Sequence, residues 1–206
     1  MLRYAITDRR AFSGDERLRS AAVAASAKRW AEAGIEFVQI REKDLSEADL
    51  ILLAKRFRAS LPMRGGTRLL VNAPLEMAVR LAVGSGADGI HVPLRDLASL
   101  AAAVWTEGSK PMVSVSCHAL EEVRLAEAQG ADLILFGPVF EKRVGGEVVR
   151  AGVGVGALRQ AATLAPGRVL ALGGVASEYA AICVEAGAVG VAGIRMFAGL
   201  QGDAAL

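Results

Sequence analysis

The stretch EAGIEFVQIRE at residues 32–42 is the first of four similar segments that decide the fold. The others are GSGADGIHVP at 84–93, AQGADLILFGP at 128–138 and EAGAVGVAGIR at 185–195. In each segment a helix-like run ends at a glycine, and a short apolar run follows. Glycine ends a helix readily because it adopts the left-handed conformation at little steric cost. Each segment therefore predicts a helix that turns directly into a β-strand.

Further β-rich runs lie between these segments and bring the predicted strands to eight. They are residues 3–7, 68–72, 112–117 and 168–173. Apolar residues at helical spacing fill stretches such as 16–33, 47–60, 74–83, 120–129 and 177–185. Strands that alternate with helices imply parallel pairing through right-handed crossovers. We predict an α/β fold with one domain, a (β/α)8 TIM barrel over residues 1–206 with a loose tail at about 199–206. An open, doubly wound sheet is the alternative.

Composition and charge exclude several classes of protein. The chain has 24 Lys and Arg against 22 Asp and Glu, and a net charge of +2 does not indicate a nucleic-acid or membrane partner. No run of about 18 apolar residues is present, and the N-terminal MLRYAITDRR is charged where a signal peptide is apolar. We expect a soluble, cytoplasmic protein. Cys117 and Cys183 predict buried free thiols rather than a disulfide framework.

Polar residues follow one face of the second predicted strand toward its C-terminal end. With the strand period of two, Gln39, Arg41 and Lys43 share a face, and the residues between them at 38 and 40 are apolar. In a closed barrel one face of each strand points inward, and activity lies at the C-terminal ends of the strands. The pattern predicts a binding site at this strand end. The alternative is that the two cations merely pair with Glu42, Asp44 or other neighbours on the rim.

Three other strands carry polar residues of interest. Asn72 ends the third strand, and VSVSCH in the fifth places Ser114, Ser116 and His118 on one face. If that face points inward, it forms a second polar ladder, although His118 could instead be a helix-capping or loop histidine. His91 lies inside the fourth strand, where a core histidine is the favoured interpretation.

Glycines follow the seventh and eighth strands, in LALGGVAS and VGVAGIRMF. In barrels these two loops commonly hold a phosphate through backbone N–H groups. Gly173, Gly174 and Gly193 would permit this close approach, and Arg195 would add positive charge. We expect a phosphate ester as ligand, although glycines also serve simple turn geometry.

Asp96, in VPLRDL after the fourth strand, has two interpretations. It could bind a metal, but an isolated aspartate here is more often the N-cap of the next helix. The sequence contains no Cys and His set with zinc spacing, and no Walker or dinucleotide glycine pattern follows the first strand.

These motifs together resemble the thiamine phosphate synthase and TenI family. The matching elements, in the family's order and spacing, are YAITD, VQIREK, Asn72, GADGIHV with LRDL behind it, VSVSCH, GADLILFGPVF, LALGGV and GVAGI. The resemblance covers nearly the whole chain. It implies a (β/α)8 barrel that binds hydroxyethylthiazole phosphate, usually as a homodimer. In the synthase, an aminopyrimidine diphosphate loses Mg2+-bound pyrophosphate, and the thiazole nitrogen attacks the resulting carbocation-like methylene.

The resemblance also implies roles for individual residues. Gln39, Arg41 and Lys43 would contact the pyrimidine and the diphosphate, with a catalytic role for Lys43. The other implied substrate contacts are Asn72 at the diphosphate, Ser116, Gly137, and the thiazole phosphate cradle of Gly173, Gly174, Gly193 and Ile194.

The departures from the family pattern bear on the reaction. Ala73 stands where synthases typically have a metal-binding aspartate, which leaves Asp96 as the candidate ligand, and residues 141–146 replace a threonine-rich loop. We therefore favour a TenI-type, thiazole tautomerase-like protein that needs no metal. The histidine of the characterised tautomerases is replaced by Pro138, so His118 would act as acid and base. The alternatives are a thiamine phosphate synthase that uses Mg2+ and a non-catalytic regulatory binder of thiamine phosphate.

Overall fold

The computed structural model describes residues 1–61, 66–100, 111–144 and 147–197 of the chain. Eight of the strands in this part form a closed barrel of parallel strands. They are β1 (Leu2–Ile6), β2 (Phe37–Ile40), β3 (Arg68–Asn72), β4 (Gly89–Pro93), β5 (Met112–Cys117), β6 (Leu133–Phe136), β9 (Val169–Leu172) and β10 (Gly190–Gly193). The order around the barrel is β1-β10-β9-β6-β5-β4-β3-β2. The predicted (β/α)8 fold is confirmed, and the open sheet is wrong.

Helices alternate with the strands along the chain. They are α1 (Glu16–Glu32), α2 (Glu47–Ser60), α3 (Leu75–Ser85), α4 (Leu94–Leu100), α5 (Leu120–Ala128), α6 (Gly154–Leu164) and α7 (Ala180–Glu185), with 3-10 turns at Arg9–Ala11 and Ser177–Tyr179. The side chains of Asp15 and Ser46 cap α1 and α2 by accepting hydrogen bonds from backbone N–H groups of the first turn. Within the described residues, no helix combines the length and the apolar character needed to cross a membrane.

The internal repeat ends four helices in the same way. The glycines at the four helix ends are left-handed, with φ of 72° at Gly34, 69° at Gly86, 77° at Gly130 and 96° at Gly187. In each case the next residue donates its N–H five residues back, to Trp30, Ala82, Ala126 and Cys183 at 2.9, 3.2, 3.0 and 3.1 Å. This bond satisfies a carbonyl that the end of the helix would otherwise leave open. The predicted helix-to-strand turn is therefore confirmed in all four segments.

The chain divides into two compact units. The first, called the 92–193 unit, comprises Met1–Arg3 and Val92–Gly193, and the second, called the 4–91 unit, comprises Tyr4–His91 and Ile194–Leu206. A single domain over residues 1–206 stays a prediction, and the tail expected at 199–206 lies outside the described residues. In the 92–193 unit, Cys117 and Cys183 are both buried and free, as predicted.

A second, two-stranded sheet follows β6. Strands β7 (Lys142–Val144) and β8 (Glu147–Arg150) pair antiparallel, in the region where residues 141–146 replace the family's threonine-rich loop. A Gly-Gly pair flanked by valine-containing runs is a recognised hairpin signal, and it was available at residues 144–149. These two strands were not among the eight predicted from the sequence.

Candidate functional site

Solvent exposure rises along one face of the chain at β2, in the 4–91 unit. Gln39 is 1% exposed, Arg41 is half-buried and Lys43 is exposed. The intervening Val38 and Ile40 are buried. This face therefore leads from the packed interior to solvent, as expected for a strand whose end carries a site.

The carboxylates that alternate with these cations are held by Arg9. Glu42 is 2% exposed and accepts from the backbone N–H of Arg9, at 3.1 and 3.2 Å, and from its Nη1 at 3.1 Å. Asp44 accepts from Nη1 and Nη2 of Arg9 at 2.7 and 3.0 Å. Hydrogen bonding to Arg9 lowers the pKa of Asp44 to about 2. In the part of the chain that the structure describes, Arg41 and Lys43 form no ion pair, so the alternative that they pair with Glu42 or Asp44 is wrong.

Arg41, Asn72 and His91 form one layer of the 4–91 unit. Asn72 is paired in register with His91, and Arg41 directly follows Ile40, whose register partner is Val71. His91 is only 5% exposed, which agrees with the predicted core histidine. Burial, and then the positive charge of Arg41, lower the pKa of His91 to about 3, so its imidazole is neutral at physiological pH. The sequence did not indicate that this histidine lies close enough to Arg41 to sense its charge.

Gln39 carries an unsatisfied buried acceptor. Its Oε1 atom is shielded from solvent and has no hydrogen-bond partner among the described residues. Leaving such a group unpaired costs about 1–3 kcal/mol, so buried amide oxygens normally have a partner. A ligand that donates an N–H or O–H group to this oxygen would satisfy it.

The fifth strand shows the same gradient of exposure within the 92–193 unit. Ser114 is 0% exposed, Ser116 is half-buried and His118 is exposed. Val113, Val115 and Cys117, which alternate with them, are all 0% exposed. Burial raises the pKa of the Cys117 thiol to about 12, with a smaller contribution from Glu122, so this cysteine is not a nucleophile at neutral pH. Ser116 and His118 are therefore the polar residues of this strand end that solvent reaches.

His118 is oriented by the strand end next to its own. Its Nδ1–H donates to the carbonyl oxygen of Gly137 at 2.5 Å, because a carbonyl can only accept. This bond leaves Nε2 as the nitrogen that can exchange a proton with a ligand. The imidazole does not cap α5, whose N-cap is Ala119 and has no side-chain hydrogen bond, so the helix-capping alternative is wrong. His118 does lie in the short loop between β5 and α5, as the loop alternative has it.

The double glycine after β9 packs against the segment that follows β6. Gly173 and Gly174 have φ of 86° and 67°. A Cβ at Gly173 would lie 2.6 Å from Cα of Pro138, and one at Gly174 would lie 2.6 Å from the carbonyl oxygen of Phe140. The ring of Phe140 in turn stacks on Tyr179 with centroids 4.6 Å apart. These contacts give both glycines a structural reason, so their role in holding a phosphate stays a prediction.

The remaining predicted phosphate contacts lie at the end of β10. Gly193 is the last residue of the strand and is half-buried. Ile194 is half-buried and its carbonyl accepts from the N–H of Phe197 at 3.3 Å, and Arg195 is exposed. The backbone N–H groups of this turn are the ones that the resemblance assigns to the phosphate.

Asp96 is not a helix cap. It is the third residue of α4, which begins at Leu94, and its carboxylate lies 3.7 Å from Nε of Arg95. Helix α4 follows β4 directly, so no loop residue is left to take the cap position. Among the described residues, no group of three or more His, Cys, Asp or Glu side chains could hold a metal ion. Asp96 as a metal ligand stays a prediction.

Comparison with known proteins agrees with the motifs. The family model described as thiamine monophosphate synthase matches residues 3–197. An Aquifex aeolicus protein, provisionally named thiamine-phosphate synthase 2, is 33% identical over 194 residues, which cover 94% of this chain and 96% of that protein. A thiamine-phosphate synthase from Bacillus velezensis is 32% identical over 167 residues, covering 78% and 70%. The solved thiamine phosphate pyrophosphorylase from Pyrococcus furiosus shares the fold, with a TM-score of 0.72 at 21% identity over 98% of this chain and 88% of that one.

Proposed function

Because the chain belongs to the thiamine monophosphate synthase family, we propose that it is a thiamine phosphate synthase. It would join an aminopyrimidine diphosphate to hydroxyethylthiazole phosphate and release pyrophosphate. The names of its relatives favour this reaction over the tautomerase that the departures at Ala73 and residues 141–146 predicted. One structural observation carries the proposal: Arg41 and Lys43 are not neutralised by the carboxylates that alternate with them.

The departure of pyrophosphate requires cations that are not already paired with carboxylates. Pyrophosphate gains negative charge as its bond to the pyrimidine methylene breaks, and positioned cations stabilise that charge. The guanidinium of Arg41 can bind phosphate oxygens in a bidentate manner, and the ammonium of Lys43 acts as a compact point charge. Asn72, in the same layer as Arg41, adds a neutral hydrogen-bonding group. We assign these three residues to the diphosphate.

The pyrimidine needs a hydrogen-bond acceptor for its amino group. The unsatisfied Oε1 of Gln39 supports this assignment, because an amino N–H would supply the missing partner. Ser116 adds a half-buried hydroxyl at the end of β5. The thiazole phosphate is assigned to the backbone N–H groups of Gly173, Gly174, Gly193 and Ile194, with Gly137 as a further contact.

The protein groups fit a Mg2+ ion that arrives with the diphosphate better than one held by protein ligands alone. Mg2+ commonly takes one or two carboxylates together with substrate phosphates and water. Asp96 is the candidate carboxylate, because Ala73 has no ligand atom in its side chain. When bound, Mg2+ would supply charge neutralisation at the pyrophosphate.

Direct assay of the coupling reaction tests the proposal. Purified protein incubated with the aminopyrimidine diphosphate, thiazole phosphate and Mg2+ should form thiamine phosphate, detected by liquid chromatography. Arg41→Ala should lower kcat/KM by at least about tenfold, because a charge-assisted hydrogen bond is lost. Arg124→Ala removes the same charge from an arginine that is 62% exposed, and it should leave the rate unchanged. No product from the folded wild-type protein would rule out the synthase.

A thiazole tautomerase is the second candidate, and His118 is the observation that favours it. The bond to Gly137 fixes the imidazole so that Nε2 is open for proton transfer. In this case the protein would exchange a proton of thiazole carboxylate phosphate with deuterated water, without the pyrimidine substrate. His118→Gln should abolish that exchange, while a synthase that does not use His118 would retain coupling activity in the same variant.

A further inference from the structure

We propose that Arg9 is a positioning residue that keeps Arg41 and Lys43 available to a diphosphate by binding Glu42 and Asp44. The proposal rests on the synthase function, because it concerns the diphosphate contacts assigned above. Arg9 does not contact the substrate in this proposal. It binds the two carboxylates of the segment Arg-Glu-Lys-Asp at residues 41–44, in which cations and carboxylates alternate.

Carboxylates surround the guanidinium of Arg9. It lies in the 3-10 turn after β1 and is only 4% exposed. Besides Glu42 and Asp44, it binds Glu16 through Nε, so each nitrogen of its guanidinium has a carboxylate acceptor. The two carboxylates are 33 and 35 residues away in sequence, so these bonds join β1's end to β2's end within the 4–91 unit.

Two further hydrogen bonds fix the backbone of the segment at residues 41–44. Leu45 donates its N–H to the carbonyl of Glu42 at 3.2 Å, which closes a turn with Lys43 and Asp44 at its corners. Neighbouring residues of an extended chain point to opposite sides, so holding Glu42 on the Arg9 side directs Arg41 to the other side. Thr7 supports this arrangement, because its hydroxyl accepts from the N–H of Arg41 at 2.9 Å.

Loss of Arg9 would leave the carboxylates of Glu42 and Asp44 without their cationic partner. Glu42 is 2% exposed, and a buried carboxylate without a partner is costly, so it would recruit a nearby cation. Arg41 and Lys43 are its direct neighbours in the chain. An ion pair with either one would compete with the diphosphate for the same positive charge. The lowered pKa of Asp44 and the raised pKa of Arg9 agree with an ion pair between these two residues that is charged at neutral pH.

Titration calorimetry with inorganic pyrophosphate tests this role without needing turnover. We expect Arg9→Gln to raise the Kd for pyrophosphate about tenfold, the loss of one charge-assisted contact. Arg10→Gln removes the same charge one residue later, from a side chain that is 65% exposed, and should change the Kd less than twofold. The decisive variant is Arg9→Gln combined with Glu42→Gln. It removes a competing carboxylate and should recover most of the lost affinity, which a merely structural role for Arg9 would not do.

The outcomes separate this inference from the proposed function. Wild-type affinity in a folded Arg9→Gln variant, or a double variant no tighter than Arg9→Gln alone, would overturn the positioning role while leaving the synthase intact. A wild-type protein that binds pyrophosphate but forms no thiamine phosphate would overturn the synthase alone, and absence of pyrophosphate binding would overturn both. If Arg9→Gln does not fold, as judged by thermal unfolding, Arg9→Lys carries the same comparison. Lysine keeps the charge but cannot bridge both carboxylates, so we expect a smaller loss that Glu42→Gln again restores.

Discussion

Asn72 of β3 and His91 of β4 are paired in parallel register, toward the C-terminal ends of the two strands. One is a half-buried amide and the other a buried imidazole that lies near enough to Arg41 for its charge to lower the histidine pKa. A protonated imidazole here would place a second cation beside Arg41 in a buried layer. His91 is therefore neutral in the folded protein, and this should lower the free energy of unfolding in acid.

His91 should make the stability of the protein fall as the pH is lowered. In the unfolded chain the imidazole takes up a proton near its ordinary pKa of 6.5, whereas in the folded protein it does so only at about 3. Between these values the unfolded state binds more protons, so the free energy of unfolding should drop by about 2 kcal/mol from pH 7 to pH 5 on account of this group. Urea unfolding of the wild type and of His91→Gln at pH 7, 6 and 5 measures the difference. A difference that stays constant across this range would contradict the prediction.

Asp44 should contribute stability that disappears only in strong acid. Its pKa is lowered from 3.8 to about 2, chiefly by the hydrogen bonds from Arg9. A carboxylate with a lowered pKa stabilises the folded state above its unfolded pKa and loses that contribution as the pH falls through the folded value. Asp44→Asn should therefore be less stable than the wild type at pH 6, and the gap should close between about pH 4 and pH 2. In an Arg9→Gln background the same substitution should show no such gap, since the partner is gone.

Gln39→Met should separate stability from function. Replacing an unsatisfied buried acceptor by an apolar side chain of similar length should raise the free energy of unfolding by about 1 kcal/mol. The same change removes the acceptor assigned to the pyrimidine amino group, so kcat/KM should fall by at least about tenfold. Gln129 is the matched control, because its Oε1 is also buried without a partner among the described residues and it lies at the end of α5. Gln129→Met should stabilise without loss of activity; equal losses in both variants would argue against the assignment.

The barrel could be predicted because its signals are local. Each glycine in the repeat ends its helix in the left-handed conformation, a preference that depends on only a few neighbouring residues. Helix Glu47–Ser60 and strand Arg68–Asn72 have the predicted bounds. The helix after β4 begins at Leu94 rather than after Asp96, and strands β7 and β8 were not predicted. Pro93 ends its strand with no loop before the helix.

The candidate site was predictable only in part, because several of its interactions join residues that are far apart in sequence. The face with Gln39, Arg41 and Lys43 follows from the period of a strand. The partner of Glu42 does not, since Arg9 is 33 residues away and has no sequence feature that distinguishes it from Arg10. The same holds for the influence of Arg41 on His91, which depends on the register of three strands. Pairing of Arg41 with its chain neighbours was the wrong alternative because Arg9 already binds both neighbouring carboxylates.

Glycine should be needed at position 174 for two reasons: its left-handed backbone and the close approach of the Phe140 main chain. Gly174 and Gly167 have similar φ angles of 67° and 74°, so an alanine at either position costs about 1 kcal/mol for the left-handed backbone. Only at Gly174 would the new Cβ meet backbone atoms, 2.6 Å from the carbonyl oxygen of Phe140, whereas the space around Gly167 is open within 4 Å. Gly174→Ala should therefore lose about 2 kcal/mol more than Gly167→Ala in urea unfolding, since the clash is with main chain that cannot rotate away. Displacement of this loop should also raise the KM for thiazole phosphate in the Gly174 variant alone, because the loop's N–H groups are assigned to that phosphate. Equal stability losses would show that the segment after β6 moves aside freely, and an unchanged KM would remove the double glycine from the phosphate site.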